Sequence, residues 1–235
     1  MVMGPKKIRA KRSQVSIRAG GFEITPTETE TMLGAHLHQS LQWNHHISGS
    51  KKSLIKQLTS RTNGLKKIAA GATFNTRLML ANGVFMSKLM YLITVWGGAQ
   101  QYLLKALQIQ QLVAARCVCG YTSRWWSRQK ILQRVGWLSI RQLIYFHTVL
   151  EAHKAIVSGK PTALSQSLIT PFPYRTRRAA MGLIRHGENL TQASFHYRAV
   201  CWYNEVPASI RVGSVPVVKR RLREWVRKNV PLDWG

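Results

Sequence analysis

The sequence predicts a mainly α-helical chain with a small antiparallel β-sheet at its N-terminal end. Before Trp43, apolar and polar residues alternate with the period of two that a half-buried strand requires. From Asn44 onward, apolar residues recur at helical spacing. Paired glycines and isolated prolines fall between these runs, where turns need them. Three stretches follow from this pattern: 1–43 with strands, 44–120 as a helical bundle and 121–235 as further helices. No internal repeat or low-complexity linker divides them, which allows one elongated unit or two docked ones.

Residues 1–12 read as a tail or strand stub with a basic cluster. Val15 and Ile17 alternate with Ser16 and Arg18, and Phe22 and Ile24 alternate with Glu23. Gly20-Gly21 lies between, and two glycines suit a type I′ hairpin because both central positions of that turn need positive φ. Thr25 to Thr31 is expected to be a polar connection, followed by a strand of Leu33, Ala35 and Leu37 in which Gly34 marks a bulge or close backbone approach. Such a sheet of two or three strands needs helices to lean on. Trp43 is expected to anchor the next turn and Asn44 to cap the first helix.

Leu54, Leu58, Leu65 and Ile68 give the first long helix its apolar face. A second helix, from the capping candidate Asn75 to Gly97-Gly98, carries Leu78, Phe85, Leu89 and Leu92. A third carries Leu103, Leu107, Ala114 and Cys117 and ends at Gly120. Short connections make these three an antiparallel bundle. A short helix then reaches Val135, and Gly136-Trp137-Leu138-Ser139 forms turn and cap. The following helix buries Leu143, Phe146, Leu150 and Val157 and stops at Gly159. A short helical pattern surrounds Leu164 and Leu168. Helices from Gln192 to about Tyr203 (Phe195, Ala199, Trp202) and from Val217 to Lys228 (Val218, Leu222, Trp225) complete the chain.

Charge bounds the function more than fold does. The 235 residues carry 35 Lys and Arg against 8 Asp and Glu, a formal net charge of +27. Between Glu30 and Glu151 there is no carboxylate, so the cations of that span must meet solvent, phosphate or lipid headgroups. A solubilising surface ordinarily mixes signs. Cys117, Cys119 and Cys201 are odd in number and set in apolar sequence, which points to buried reduced thiols rather than a disulfide framework. The N-terminus is basic from Lys6 to Arg12 without an apolar run. An intracellular, non-secreted protein of nucleus or cytoplasm is therefore expected. The apolar stretch from Leu78 to Trp96 is interrupted by Asn82 and Lys88 and reads as a buried helix rather than a membrane span.

The residue types for catalysis are missing. Two-metal phosphoryl chemistry needs clustered carboxylates, whereas Glu23, Glu28 and Glu30 surround a Thr/Pro-rich turn and Asp233 is the single aspartate. Cys117 and Cys119 diverge on a helix, and His36, His38, His45 and His46 have no thiol nearby, so no zinc site is expected. Gly-x-Ser-x-Gly, P-loop and dinucleotide fingerprints are absent. The chain reads as a binding part with no catalytic residue, no metal ligand and no cofactor of its own.

Its candidate nucleic-acid contacts are Lys51, Lys52, Lys56, Arg61, Lys66 and Lys67 along the first long helix, and Arg175, Arg177 and Arg178 in a basic patch. The polar turn Tyr121 to Arg128 adds Arg124, Trp126 and Arg128. There Trp125 and Trp126 could stack bases while the arginines grip phosphate, or could staple the turn to the core.

Leu33-Gly34 followed by Leu41-x-Trp43-x-x-His46-Ile47 resembles the segment just beyond the catalytic palm in reverse transcriptases of non-LTR (LINE-type, jockey-like) retrotransposons. The resemblance continues through Tyr91-Leu92-x-x-x-Trp96-Gly97-Gly98, Leu107-Gln108-x-Gln110-x-x-x-Ala114-Ala115-Arg116 and Gly136-Trp137-Leu138-Ser139-Ile140. It extends over His153-Lys154, Gly159-x-Pro161, Tyr174-x-Thr176-Arg177 and Trp202-x-Asn204-x-x-Pro207, and ends with Ile210-Arg211, Lys219, Leu222 and Trp225. It implies that 1–43 is a remnant of the polymerase palm, with Leu33 and Gly34 in the turn that grips the primer end. It also implies that 44–120 is the thumb and 121–235 the C-terminal domain. The family's catalytic aspartates and their magnesium would belong to a palm upstream of Met1. Val218 stands where relatives carry Phe, Tyr203 splits the usual Trp-Asn pair, and no Cys-rich knuckle is present.

The expectation is a C-terminal fragment of a retrotransposon RNA-directed DNA polymerase. It would bind RNA or DNA template and primer, with the missing palm and fingers as a further partner, and would be inactive alone. Two other readings are a stand-alone basic helical RNA-binding protein of structural type and a protein that lays Leu222, Trp225 and their basic neighbours on anionic membrane.

Overall fold

The computed structural model describes residues 16–120, 125–168 and 193–233. The mainly α reading holds, with a small antiparallel β region ahead of the helices. Strands β1 (Ile17–Ala19) and β2 (Phe22–Ile24) pair with Ala19 opposite Phe22. Gly20 and Gly21 take φ of 57° and 82°, as a type I′ turn demands.

The second hairpin differs from expectation. Strand β3 (Thr29–Met32) lies inside the supposed polar connection and pairs with β4 (Ala35–His38), with Met32 opposite Ala35. Leu33 and Gly34 are the turn, at φ of 49° and 76°, so Gly34 serves a reversal and not a bulge. A two-residue turn preserves the alternation of Leu33, Ala35 and Leu37, which is why the pattern read as one strand.

A π-helical turn, His45–Gly49, then sends His46 and Ile47 into the core. Asn44 has helical backbone angles and makes no capping bond, correcting its expected role. Trp43 is half-buried and meets the His46 ring edge-on at 6.0 Å.

Helix α1 (Leu54–Ala69) buries Leu54, Leu58, Thr62 and Leu65. The expected single second helix is broken into α2 (Phe74–Leu80), a π segment Ala81–Met86, α3 (Ser87–Met90) and α4 (Ile93–Trp96). Thr73, not Asn75, caps α2 by accepting from the Thr76 amide. Leu92 adopts a left-handed φ of 56°, which ends α3 and re-aims the chain into α4.

Next come α5 (Gln101–Cys119), α6 (Arg128–Val135), α7 (Ile140–Ser158) and α8 (Thr162–Leu168). Ser139 and Gln142 form a reciprocal capping box at the start of α7. The last helices are α9 (Phe195–Glu205), α10 (Ala208–Arg211) and α11 (Val215–Asn229).

The core is continuous from Ile47 to Val230 and does not part at Gly120. Helix α5 packs on α1, α6 and α7, while α7 is covered by α4, α8, α9 and α11. Ile68 and Val157 are exposed, against expectation. Both lie in the final turn of their helix, where periodicity continues and packing does not. Leu222 is fully buried and Trp225 half-buried against Tyr145, so the apolar stripe of α11 faces α7 and is not available to a membrane. No helix among the described residues is long and apolar enough to cross a membrane.

Candidate nucleic-acid interface

The tip of the second hairpin sits on the helical bundle. The Tyr91 hydroxyl donates to the Leu33 carbonyl at 2.6 Å, and the Tyr91 ring lies under Gly34, where an added Cβ would stand 3.5 Å from it. The Lys88 ammonium lies 5.6 Å from the centre of that ring. The side chains of Leu33 and Met32 are exposed at 77% and 62%. The two residues expected to hold a primer end are therefore at a fixed, solvent-facing turn beside a cation.

Behind the tip, His46 clamps hairpin to bundle. Its Nδ1 accepts from the His36 amide at 3.3 Å, and burial, then His36 and Lys88, lower its pKa from 6.5 to about 4. His38 and His45 stack at 4.6 Å. Among the described residues no group of three or more His, Cys, Asp or Glu could hold a metal ion.

Along α1 the cations divide. Lys51 and Lys52 are exposed in the turn before the helix, and Lys56 and Lys67 lie on one exposed face with Ser60 and Asn63 between them. The spacing places those two lysines about 16 Å apart along the axis. Lys66 is exposed one residue earlier, in the last turn, where cations complement the helix dipole. Arg61 is different: it is half-buried and donates to the Val84 carbonyl at 2.6 Å, filling an acceptor of the π segment.

The tryptophans separate as well. Trp126 packs partly against the core with the Lys130 ammonium 4.7 Å from its ring centre, whereas Trp125 is 87% exposed. Trp125 is thus the more exposed of the two rings, and Trp126, the one chosen from sequence, is partly buried against the core. Arg128 is exposed and ion-paired with Asp233, whose backbone carbonyl also accepts from Arg141 at 2.5 Å. Arg124, Arg175, Arg177 and Arg178 lie outside the described residues.

Sequence reasoning did not single out the arginines of the last helices. Arg198, buried in α9, donates from Nη2 to Thr94 O at 3.0 Å and from Nε to Ser194 O at 3.3 Å. Burial lowers its pKa to about 10. A Cβ on Gly97 would meet the Ile93 carbonyl oxygen at 2.5 Å, Ile144 Cγ2 at 2.7 Å and Arg198 Nη1 at 2.9 Å, so only glycine fits there. A cavity of about 650 Å³ beside it is lined by Arg141, Tyr145, Trp202, Glu205 and Trp225. On α11, Arg223 and Arg227 both donate to the Gly136 carbonyl at 2.8 Å. Their four-residue spacing was the available signal, hidden by the run of cations around them.

Carboxylates are few and dispersed. Glu23 accepts from Ser16 at 2.6 Å and Glu30 from Thr27 at 2.5 Å, on separate exposed hairpins. This donor set does not fit a divalent-cation cage. Between described residues two ion pairs form, Arg128–Asp233 and Lys154–Glu151. The arrangement can therefore attract and position a polyanion. Compared with protein-family models, curated proteins and solved structures, the chain matches none.

Proposed function

We propose that this chain binds template and primer nucleic acid as the part of a non-LTR retrotransposon RNA-directed DNA polymerase that follows the catalytic palm. It contributes binding and no catalytic group. The observation that carries this reading is the set of exposed cations Lys51, Lys52, Lys56 and Lys67, in a stretch of sequence without a carboxylate, together with the Tyr91-braced turn at Leu33-Gly34. Phosphate contacts of this kind hold a strand in place without reading its bases. The palm and fingers of such a polymerase are the second partner in this reading, meeting the exposed hairpin edges.

The test is twofold. Purified chain should bind a labelled RNA–DNA primer–template, measured by anisotropy, and should add no nucleotide to it with magnesium or manganese. Template-dependent extension above a buffer control overturns the reading.

The continuity of the core from Ile47 to Val230 favours a second reading, a self-standing basic helical RNA-binding protein. The DNA upstream of the Met1 codon separates the two. A palm motif of the Phe/Tyr-Ala-Asp-Asp type, in frame or frameshifted, supports the first, and its absence supports the second.

A further inference from the structure

We propose that Arg223 and Arg227 form a phosphate clamp at the junction of α6 and α7, held side by side by the Gly136 carbonyl. The proposal rests on the nucleic-acid reading and assigns this clamp one phosphate of the bound strand.

The geometry comes from one helix and one turn. Arg223 and Arg227 are four residues apart on α11, one turn above the other, and flank the buried anchors Leu222 and Val226. Gly136 closes α6 in the left-handed region at φ of 70°, and its carbonyl receives Nη2 of both arginines at 2.8 Å. A carbonyl oxygen has two lone pairs, so it is saturated, while each guanidinium keeps most of its donors.

No carboxylate among the described residues lies within ion-pair distance of either arginine. Glu151, on the neighbouring α7, is taken by Lys154 at 2.7 Å. His147 on α7 feels Glu151, Lys154, Lys219 and Arg223, and burial above all lowers its pKa to about 4. Burial and the adjacent Arg227 also lower the Arg223 pKa. Two positive groups have thus been gathered on one neutral oxygen.

Docking α11 does not require this. Leu222 and Val226 are both 0% exposed and supply the contact with α7. A phosphate supplies what the pair lacks, namely negative charge and several acceptor oxygens matched to planar forks.

The experiment compares the full chain with Arg223→Gln, Arg227→Gln, the double Gln variant, Arg223→Lys/Arg227→Lys and Arg220→Gln. Arg220 is an exposed cation of the same helix. Binding of a labelled single-stranded oligonucleotide is read by anisotropy, and inorganic phosphate is titrated against arginine side-chain NMR resonances. Each Gln substitution in the pair should weaken oligonucleotide binding about tenfold, the double little more, and Arg220→Gln by no more than about threefold. The Lys pair should keep the melting temperature yet remain weakened, because a point charge lacks the fork.

Equal loss from Arg220→Gln, or wild-type binding by the Lys pair, overturns the clamp. Wild-type oligonucleotide binding with unaffected clamp variants sinks the clamp and leaves the nucleic-acid reading standing. No oligonucleotide binding, with phosphate still shifting Arg223 and Arg227, sinks the polymer reading and keeps a phosphate site. Neither signal overturns both.

Discussion

The Tyr91 hydroxyl donates a 2.6 Å hydrogen bond to the Leu33 carbonyl across 58 residues of chain. This bond joins a hairpin turn to the bend between α3 and α4. Leu33 holds a left-handed φ of 49°, which a leucine rarely adopts, so the turn relies on outside support.

Tyr91→Phe removes the donor and leaves the ring under Gly34. Global stability should fall by about 0.5–1.5 kcal/mol. Amide hydrogen exchange should accelerate in β3 and β4 more than in α5 or α7. Unchanged exchange in the hairpin would show that the bond does not brace it.

Acid should loosen the same junction. His46 is 3% exposed and accepts from the His36 amide through Nδ1, which protonation would block. With its pKa lowered from 6.5 to about 4, its contribution is complete above pH 6.5 and is lost as pH falls through about 4. The shift corresponds to about 3 kcal/mol over that window. His147 and His153 are lowered too, by burial first, and act with the same sign. Denaturant unfolding at pH 7 and pH 4.5 should show this decline, and His46→Gln should flatten it. A variant with the wild-type slope would remove His46 as a cause.

Trp137 and Trp125 should respond oppositely to alanine. Trp137 is 6% exposed, stacks on Phe85 at 6.3 Å and donates from Nε1 to Asn82 Oδ1 at 2.8 Å. Trp137→Ala should cost about 3–5 kcal/mol of stability. Trp125→Ala should leave the melting temperature unchanged and weaken single-strand binding by about 1–3 kcal/mol. If Trp125→Ala unfolds the protein, the ring is a staple.

Much of this fold was legible because caps and periods are local. Ser139 with Gln142, Gly120, Gly136 and Gly159 each mark a helix end through chemistry within a few residues. Gly20-Gly21 likewise named its turn. What stayed hidden depends on distant partners. Leu33 adopts positive φ without being glycine, and Tyr91 lies far along the chain. Leu92 breaks a helix that its neighbours' apolar spacing would continue.

For the interface, composition identified the cations but not their employment. Nothing local distinguishes Arg61, turned to Val84, from the exposed Lys56, or Trp126 from Trp125. Asn44 looked like a cap because its residue type suits one, yet its backbone is already helical and its Oδ1 is buried without a partner.

Charge reversal of Lys51, Lys52 and Lys56 should weaken binding to unrelated oligonucleotides by similar factors, since all three are exposed cations and phosphate contacts carry no sequence information. A loss restricted to one sequence would indicate base readout instead.

The most direct measurement is the dissociation constant for an unrelated oligonucleotide between 50 and 200 mM salt. With six to ten phosphates neutralised, affinity should fall by roughly three to five orders of magnitude, linearly in log salt. A flat response would contradict nucleic-acid binding through this cationic surface.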